Sequence, residues 1–257
     1  MYLRLRQIAL VTEHMEPALE KLSAVLGLSV CYRDPAIRER GLENALLPIG
    51  STFIEVVAPL VEGTAAGRYL ERRKGEGGFM FCVDCDNAAQ RRAHALNIGV
   101  RVISESRKDD WAAYEEFQLH PRDTGGAMLS ISTHASGEDL LGNWHFAGPH
   151  WQQYLRTGPV LAVLGADIQC ADPEALARRW SEVLQSPVAR SPAGEPELVL
   201  DQGFARFVPD ADGRGEGLSA VHLKTLAPLH VLEQARRAGV AADKSGVMIC
   251  GIRFVLH

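Results

Sequence analysis

The sequence lacks a hydrophobic run long enough to cross a bilayer. None of its apolar stretches approaches the roughly 20 residues that a membrane-spanning helix needs. The N-terminus begins directly with an apolar strand pattern and has no signal-peptide pattern of a charged segment followed by an apolar one. We therefore expect a cytoplasmic protein without a membrane partner.

The sequence also lacks an excess of positive charge and a cysteine spacing typical of disulfide frameworks. The formal net charge is -5, which offers no positive potential to a phosphate backbone, so nucleic acid is not an expected partner. The five cysteines are odd in number, which suits a reducing compartment. Cys82 and Cys85 form a CxxC, but their apolar neighbours predict a strand, on which positions three apart face opposite ways. A redox or zinc role for this pair is therefore not favoured.

Four similar segments recur along the chain. Leu5–Val30 aligns with Val163–Val188 without a gap, and Gly78–Val100 aligns with Leu218–Val240. Each begins with an apolar strand, continues into a helix of about three turns and precedes apolar segments broken by Gly and Pro. Because one such module cannot bury both its sheet and its helix alone, we expect an α+β fold. In this fold, four βαβββ modules pair into two cupped mixed β-sheets with helices outside.

The modules divide the chain into two halves. We predict a first domain over residues 1–135 with two modules, a linker over 136–157 that lacks a strand pattern, and a second, degenerate domain over 158–257. A chain with four modules can satisfy its own pairing, so we expect a monomer or a homodimer.

Two segments lie outside the repeated pattern. Residues 61–76 are rich in charge and glycine and predict a connector with a short helix around Arg68 to Arg73. The linker holds a cluster of aromatic and imidazole side chains, whose irregular spacing favours packing at the junction over metal binding. The cluster consists of Trp144, His145, His150 and Trp151.

Four short segments carry a family resemblance. They are LRQIALV at 5–11, RGLENA at 40–45, FIEVV at 53–57 and HPRDTGG at 120–126. With them the chain resembles glyoxalase-like-domain proteins of the vicinal oxygen chelate superfamily, whose members include glyoxalase I, methylmalonyl-CoA epimerase, extradiol dioxygenases and bleomycin-resistance proteins. The resemblance is strong over residues 1–135 and is one of pattern over the rest.

The resemblance implies a divalent metal ion (Zn, Ni, Mn, Fe or Co) bound inside a cup. In metal-dependent members, the first strand of a module supplies His or Gln and its last strand supplies Glu, and open positions on the ion accept two neighbouring substrate oxygens. Gln7 and Glu55 occupy these positions in module one, and Glu55 or a metal-bound water would move the proton. From the residues alone, Gln7 could be a surface polar group and Glu55 could face solvent on an open sheet.

The other modules do not carry this ligand pattern. In module two, Ser130 stands where Glu is expected, and no His stands on the first strand. The residues at the remaining equivalent positions are Gly78, Met80 and Cys82 in module two, Gly165 and Arg206 in module three, and Ala220 in module four. A four-ligand site of the family type is therefore absent from the pattern.

Two histidines could complete a metal site. His222 has the strand parity of Ala220 and would join Gln7 and Glu55 if modules one and four share a cup. His120, in the HPRDTGG segment, could reach the mouth of a cup formed by modules one and two. A plainer interpretation makes His222 a half-buried sheet residue and His120 a side chain that stabilises a turn.

The resemblance implies two classes of function for a small-molecule ligand. The first is a divalent-metal-dependent lyase, isomerase or dioxygenase that acts on a substrate with adjacent oxygens. The second is a metal-free protein that binds or sequesters a small organic molecule, as bleomycin-resistance proteins do. Two ligands hold a catalytic ion poorly, whereas the Gln7 and Glu55 pair argues against a passive site. A weaker third possibility is a protein-interaction scaffold built from the second half, so the sequence leaves open whether the protein is an enzyme.

Overall fold

The computed structural model describes residues 2–109, 113–156 and 158–257. The strands of these residues are β1 (Leu3–Val11), β2 (Leu42–Ile49), β3 (Thr52–Pro59), β4 (Gly77–Cys85), β5 (Val102–Lys108), β6 (Tyr114–Leu119), β7 (Met128–His134), β8 (Val160–Cys170), β9 (Val188–Arg190), β10 (Pro196–Val199), β11 (Phe204–Pro209), β12 (Gly217–Thr225), β13 (Gly246–Ile249) and β14 (Ile252–Leu256). The helices are α1 (Met15–Leu26), α2 (Ala65–Arg73), α3 (Ala88–Asn97), α4 (Pro121–Thr124), α5 (Pro173–Leu184) and α6 (Pro228–Arg237). The predicted α+β class is confirmed. Among these helices, none has the length and apolar character to span a membrane.

The four modules follow one another as the repeats predict. Modules two and three have all their strands, in the orders β4-α3-β5-β6-β7 and β8-α5-β9-β10-β11. Modules one and four are shorter, because an isolated bridge takes the place of one strand in each. These bridges join Tyr32 to Leu46 and Ala242 to Val247.

The chain folds into two compact units, neither of which is a continuous stretch. Unit 1 comprises Met1–Gln7, Met80–His145 and Gly165–Leu218, and unit 2 comprises Ile8–Phe79, Phe146–Leu164 and Ser219–His257. Unit 1 therefore holds most of modules two and three, and unit 2 most of modules one and four. The division into residues 1–135, 136–157 and 158–257 concerns modules along the sequence and stays a prediction.

Unit 1 places two helices against its sheets. β4 pairs in parallel with β7, which continues through β6 to β5, and β8 pairs in parallel with β11, which continues through β10 to β9. α3 packs on α5, and Trp180 of α5 contacts the rings of Phe81 and Phe207, each with its centroid at 5.4 Å. Since side chains alternate along a strand, residues next to Phe81 and Phe207 face away from α5.

Unit 2 has a similar plan. β2 and β3 form an antiparallel hairpin, and β14 lies between β12 and β13. α1 packs against β3, β13 and α6, and α2 packs on β3. α1 ends at a glycine, because Gly27 adopts φ 70° and its N–H closes the helix on the Ser23 carbonyl.

Candidate functional site

Gln7 is buried in β1 and has a partner in unit 1. Its side chain is 5% exposed, and its Oε1 accepts a hydrogen bond from the indole Nε1 of Trp144 at 2.9 Å. Gln7 is therefore an interior residue, and its Oε1 already accepts a hydrogen bond from the chain. Trp144, only 1% exposed, satisfies its single donor through the same bond.

Glu55 is buried in β3 and has a partner in unit 2. Its Oε1 accepts a hydrogen bond from Asn44 Nδ2 on β2 at 2.7 Å. The Oδ1 of Asn44 in turn accepts the backbone N–H of Asp34 at 3.0 Å. A carboxylate is costly to bury unless it is hydrogen-bonded, and this short chain of bonds provides that compensation. Glu55 thereby also fixes the turn before β2.

The sheet face that carries Glu55 is covered by protein. Phe53 and Val57 share this face, because they lie two residues to either side of Glu55 on the same strand. The ring of Trp151 meets Phe53 edge to face, with centroids 4.9 Å apart. Val57 packs into a cluster with residues of α2. Both ends of this face therefore pack against other segments of unit 2, and we call the face formed by Phe53, Glu55 and Val57 the Glu55 face.

Tyr69 of α2 contacts the start of β4, the first strand of module two, on which no histidine stands. Tyr69 of α2 donates its hydroxyl to the carbonyl of Gly78 at 2.7 Å. A Cβ on the neighbouring Gly77 would lie 2.6 Å from the Tyr69 oxygen, so a side chain there would displace the phenol. The glycines at this point of β4 thus make room for α2.

His222 lies on β12 in unit 2, paired with another histidine. It is 4% exposed, and its Nδ1 lies 2.8 Å from Nε2 of His257, with the two rings stacked 5.1 Å apart. His222 therefore contacts the imidazole of His257.

His120 caps the short helix α4 in unit 1. Its Nδ1 accepts the backbone N–H of Arg122 at 3.1 Å. The rest of the HPRDTGG segment is also structural, since Asp123 binds Arg101 through both carboxylate oxygens. Gly126 adopts φ +71°, and a Cβ there would lie 2.9 Å from Ile168. The segment thus lets the chain pass close to β8.

The donor set does not fit the metal site that the family resemblance implies. Within residues 2–109, 113–156 and 158–257, no three side chains of His, Cys, Asp or Glu converge as metal ligands. The oxygens of Gln7 and Glu55 named above each accept an N–H bond from the chain. A divalent ion needs lone pairs that converge without competing donors. The metal-ligand roles of Gln7, Glu55, His120 and His222 stay predictions.

A carboxylate network in unit 1 escaped the sequence reasoning. Glu116 on β6 accepts hydrogen bonds from Ser130 at 2.6 Å, Ser106 at 2.9 Å and Gln118 at 3.2 Å. Its side chain is nearly buried, whereas Ser106 and Gln118 are half-buried. Ser130, which stands where the family has a glutamate, thus donates a hydrogen bond to Glu116 on the neighbouring strand. The alternation of polar residues along β6 was the available signal.

A second network in unit 1 ties β1 to a neighbouring loop. Arg4 binds Asp84 at 2.6 Å and also donates to the carbonyl of Gly137, while Arg6 donates to the Leu140 carbonyl at 2.6 Å. Burial lowers the pKa of Arg6 to about 10. Two arginines inside an apolar strand pattern were the signal, because buried guanidinium groups need partners.

His134 lies beside this network. Its ring contacts Trp144 at 4.4 Å and Tyr114 at 5.6 Å between centroids, and its Nδ1 is 3.7 Å from Asp84. Burial lowers the pKa of His134 from its ordinary value, and the nearby Asp84 opposes that shift. The imidazole is therefore neutral near neutral pH, as its aromatic surroundings favour.

Trp144 and Trp151 of the predicted linker both belong to cores. Each is 1% exposed, Trp144 in unit 1 and Trp151 in unit 2. His145 stacks on Tyr114 at 4.4 Å, and His150 is exposed. The burial of Trp144 and Trp151 and the stacking of His145 agree with the interpretation of the cluster as packing.

Comparisons with known proteins find two similar epimerases and one similar solved structure. Human methylmalonyl-CoA epimerase, a mitochondrial protein, is 25% identical over 128 residues, which are 50% of this chain and 72% of that protein. Ethylmalonyl-CoA/methylmalonyl-CoA epimerase of Cereibacter sphaeroides is 24% identical over 130 residues, which are 50% of this chain and 96% of that protein. A hypothetical protein from Staphylococcus aureus shares the fold over 100% of this chain and 99% of its own, with a TM-score of 0.67 and 12% identity.

A family model shows the family. The model described as a glyoxalase-like domain matches residues 8–184, which are more than half of the chain. The predicted resemblance to the vicinal oxygen chelate superfamily is thereby confirmed. The chain belongs to the glyoxalase-like domain family.

Proposed function

We propose that this glyoxalase-like protein binds a small organic molecule on the Glu55 face without a catalytic divalent metal ion. The observation that carries the proposal is the hydrogen bonding of module one. The Glu55 carboxylate is held by Asn44, and the Gln7 carboxamide by Trp144. Oxygens that accept N–H bonds within a folded interior are poor candidates for a metal that must compete with those donors.

The composition of the Glu55 face supports a small and largely apolar ligand. Phe53, Val57 and the covering Trp151 supply apolar surface, and Glu55 with Asn44 supplies one polar pair. Small-molecule sites have this make-up, with a few polar groups that orient the ligand among mostly apolar walls. We further propose that the protein acts in the cytoplasm as a monomer or a homodimer.

Ligand binding with and without a chelator tests the proposal. Purified protein is titrated with a panel of small aromatic and acyl compounds by calorimetry, once in EDTA and once with added Zn²⁺, Co²⁺ or Mn²⁺. We expect at least one compound to bind with the same affinity in both conditions. Glu55→Gln should weaken that binding, and Glu43→Gln, which changes the next strand on its opposite face, should not.

The metal-dependent function is the outcome that would overturn the proposal. Deuterium incorporation from solvent into methylmalonyl-CoA measures the reaction that the named epimerase relatives suggest. Metal-dependent incorporation that Glu55→Gln abolishes would make this protein an isomerase of the family type. The absence of any chelator-insensitive ligand from the whole panel would equally contradict metal-free binding.

A further inference from the structure

We propose that the polar sheet face around Glu116 in unit 1 is a second binding site, which takes an organic ammonium ion with an apolar chain. The inference goes beyond the ligand proposed for the Glu55 face, because every residue that forms the site belongs to unit 1. The site consists of half-buried or buried side chains on the neighbouring strands β4, β7, β6 and β5. We call it the Glu116 face, and its members are Met80, Ser106, Glu116, Gln118, Met128 and Ser130.

The strand register places these side chains on one side of the sheet. The directly opposite pairs are Gln118 with Ser130, Ser106 with Glu116, and Met80 with Met128. Phe81, the neighbour of Met80 on β4, points the other way and contacts Trp180 of α5. The Glu116 face therefore lies away from α5. Four of its six members are only half-buried, so solvent and a dissolved molecule reach it.

Glu116 carries a negative charge that its hydrogen-bond partners do not neutralise. The residue is only 9% exposed, and its carboxylate accepts hydrogen bonds from Ser106, Gln118 and Ser130. None of these three partners is a cation. A carboxylate with so little exposure to water is stabilised further by a positive charge placed against it. The charge of the site therefore favours a cationic ligand.

The neutral partners leave hydrogen-bond acceptors for such a ligand. Each serine hydroxyl has one hydrogen and uses it on Glu116, so that its oxygen offers lone pairs only. Gln118 uses one N–H on Glu116 and offers its carbonyl oxygen. A primary ammonium group has three donors and one positive charge, which match a carboxylate surrounded by neutral oxygens. A carboxylate or phosphate ligand would be repelled.

Two methionines supply the apolar part of the site. Met128 lies two residues before Ser130 on the same side of β7, and Met80 lies opposite it on β4. Both thioether side chains are half-buried. Such side chains are flexible and adapt to ligands of different shapes. The ligand class is therefore a primary amine on a short alkyl chain, and n-pentylammonium is the probe.

Calorimetry with n-pentylammonium and n-pentanol tests the role of the charge. The two probes share one alkyl chain, and only the amine is charged at neutral pH. The original protein should bind n-pentylammonium at least about tenfold more tightly, because hydrogen bonds to charged groups contribute more than neutral ones. Glu116→Gln keeps the side-chain size and should remove this preference. Glu115→Gln, the same change on the opposite side of β6, should retain it.

Lys108 offers a variant with the opposite sign. It lies two residues after Ser106 on the same side of β5, and its side chain is exposed. Its charge repels a bound ammonium ion through water, so Lys108→Gln should tighten binding about twofold at low salt. An exposed residue tolerates this change without loss of the fold. The variant thus keeps the proposal testable even where Glu116→Gln is unstable.

Methionine methyl resonances show where the probe binds. In protein with isotope-labelled methionine methyl groups, n-pentylammonium should shift the signals of Met80 and Met128. The signal of Met248, an exposed methionine of unit 2, should stay in place. Equal affinities for the amine and the alcohol, no binding of the amine, or shifts that spare both Met80 and Met128 would each overturn the proposal.

The Glu55→Gln variant separates this proposal from the one for the Glu55 face. Its affinity for n-pentylammonium should equal that of the original protein. An affinity that falls in Glu55→Gln and not in Glu116→Gln would assign the amine to the Glu55 face and overturn the second site. Metal-free binding at the Glu55 face is decided by its own compound panel and stands or fails independently.

Discussion

Glu55 and Glu116 lie in modules built on one plan, yet their surroundings differ. Glu55 lies on a face closed by Trp151 and α2 and is held by Asn44. Glu116 lies beside half-buried polar side chains and accepts three side-chain hydrogen bonds. A glutamate at the family position is thus buried by distant segments, whereas a glutamate outside that position sits in a polar network. What covers a strand face decides the role of its acidic residue more than its place in the module does.

Removal of Trp151 from the Glu55 face should have the largest effect on the free energy of unfolding. Trp151 is 1% exposed and packs on Phe53. Trp151→Ala should lower the free energy of unfolding by about 3 to 5 kcal/mol, measured by urea denaturation. Leu229→Ala serves as the control, because Leu229 is 80% exposed and should change stability by about 0.5 kcal/mol or less. A loss below about 1 kcal/mol for Trp151→Ala would show that the cover is not closely packed.

Removal of Glu116 should test the polar network around this residue in unit 1. Glu116→Ala deletes the acceptor of three bonds and leaves the 3%-exposed Ser130 hydroxyl without it. We expect a loss of about 3 kcal/mol, against about 1 kcal/mol for Ser106→Ala, which removes one half-buried donor. The two variants are compared in the same urea series. Equal losses would mean that the three bonds do not act as a network.

The stability of the protein should also depend on pH through His134. Burial lowers its pKa in the folded protein, so the unfolded chain binds the proton more readily. Stability is then fully present above the ordinary histidine pKa of 6.5 and is lost as pH falls below it. Unfolding free energies between pH 7.5 and pH 5 should show this decline, and His134→Asn should flatten it. His150→Asn, at an exposed histidine, should retain the decline; a decline that His134→Asn leaves intact belongs to other groups.

The smallest effect should come from His120, at the turn before β7. Its ring accepts the Arg122 N–H as a helix cap. His120→Ala should cost about 0.5 to 1 kcal/mol, and His120→Asn should restore most of the loss, because Asn is a favoured cap. Thermal unfolding of the three proteins measures this order. A loss for His120→Asn as large as that for His120→Ala would point to a role other than capping.

Local patterns predicted much of the fold. The stop of α1 at Gly27, the β2–β3 hairpin and the short helix α2 all follow from glycine positions and from apolar spacing. Such features depend on neighbours in sequence, and periodicity reports which side of an element is buried.

The site was less predictable, because distant contacts define it. Trp144 and Gln7 lie 137 positions apart, and no local pattern links an indole donor to a carboxamide at that separation. The pattern showed that Glu55 lies among apolar residues. It did not show that α2 and Trp151 cover that face. Only the folded structure shows which segments cover this face.

Metal stoichiometry is the most direct test of the central claim that module one works without a divalent ion. The protein and its Glu55→Gln variant are equilibrated with Zn²⁺, Co²⁺, Ni²⁺, Mn²⁺ or Fe²⁺, freed of unbound ions by gel filtration, and assayed by elemental analysis. The hydrogen bonds on Gln7 and Glu55 predict less than about 0.1 ion per chain in both proteins. One tightly held ion per chain that is lost in Glu55→Gln would contradict the account.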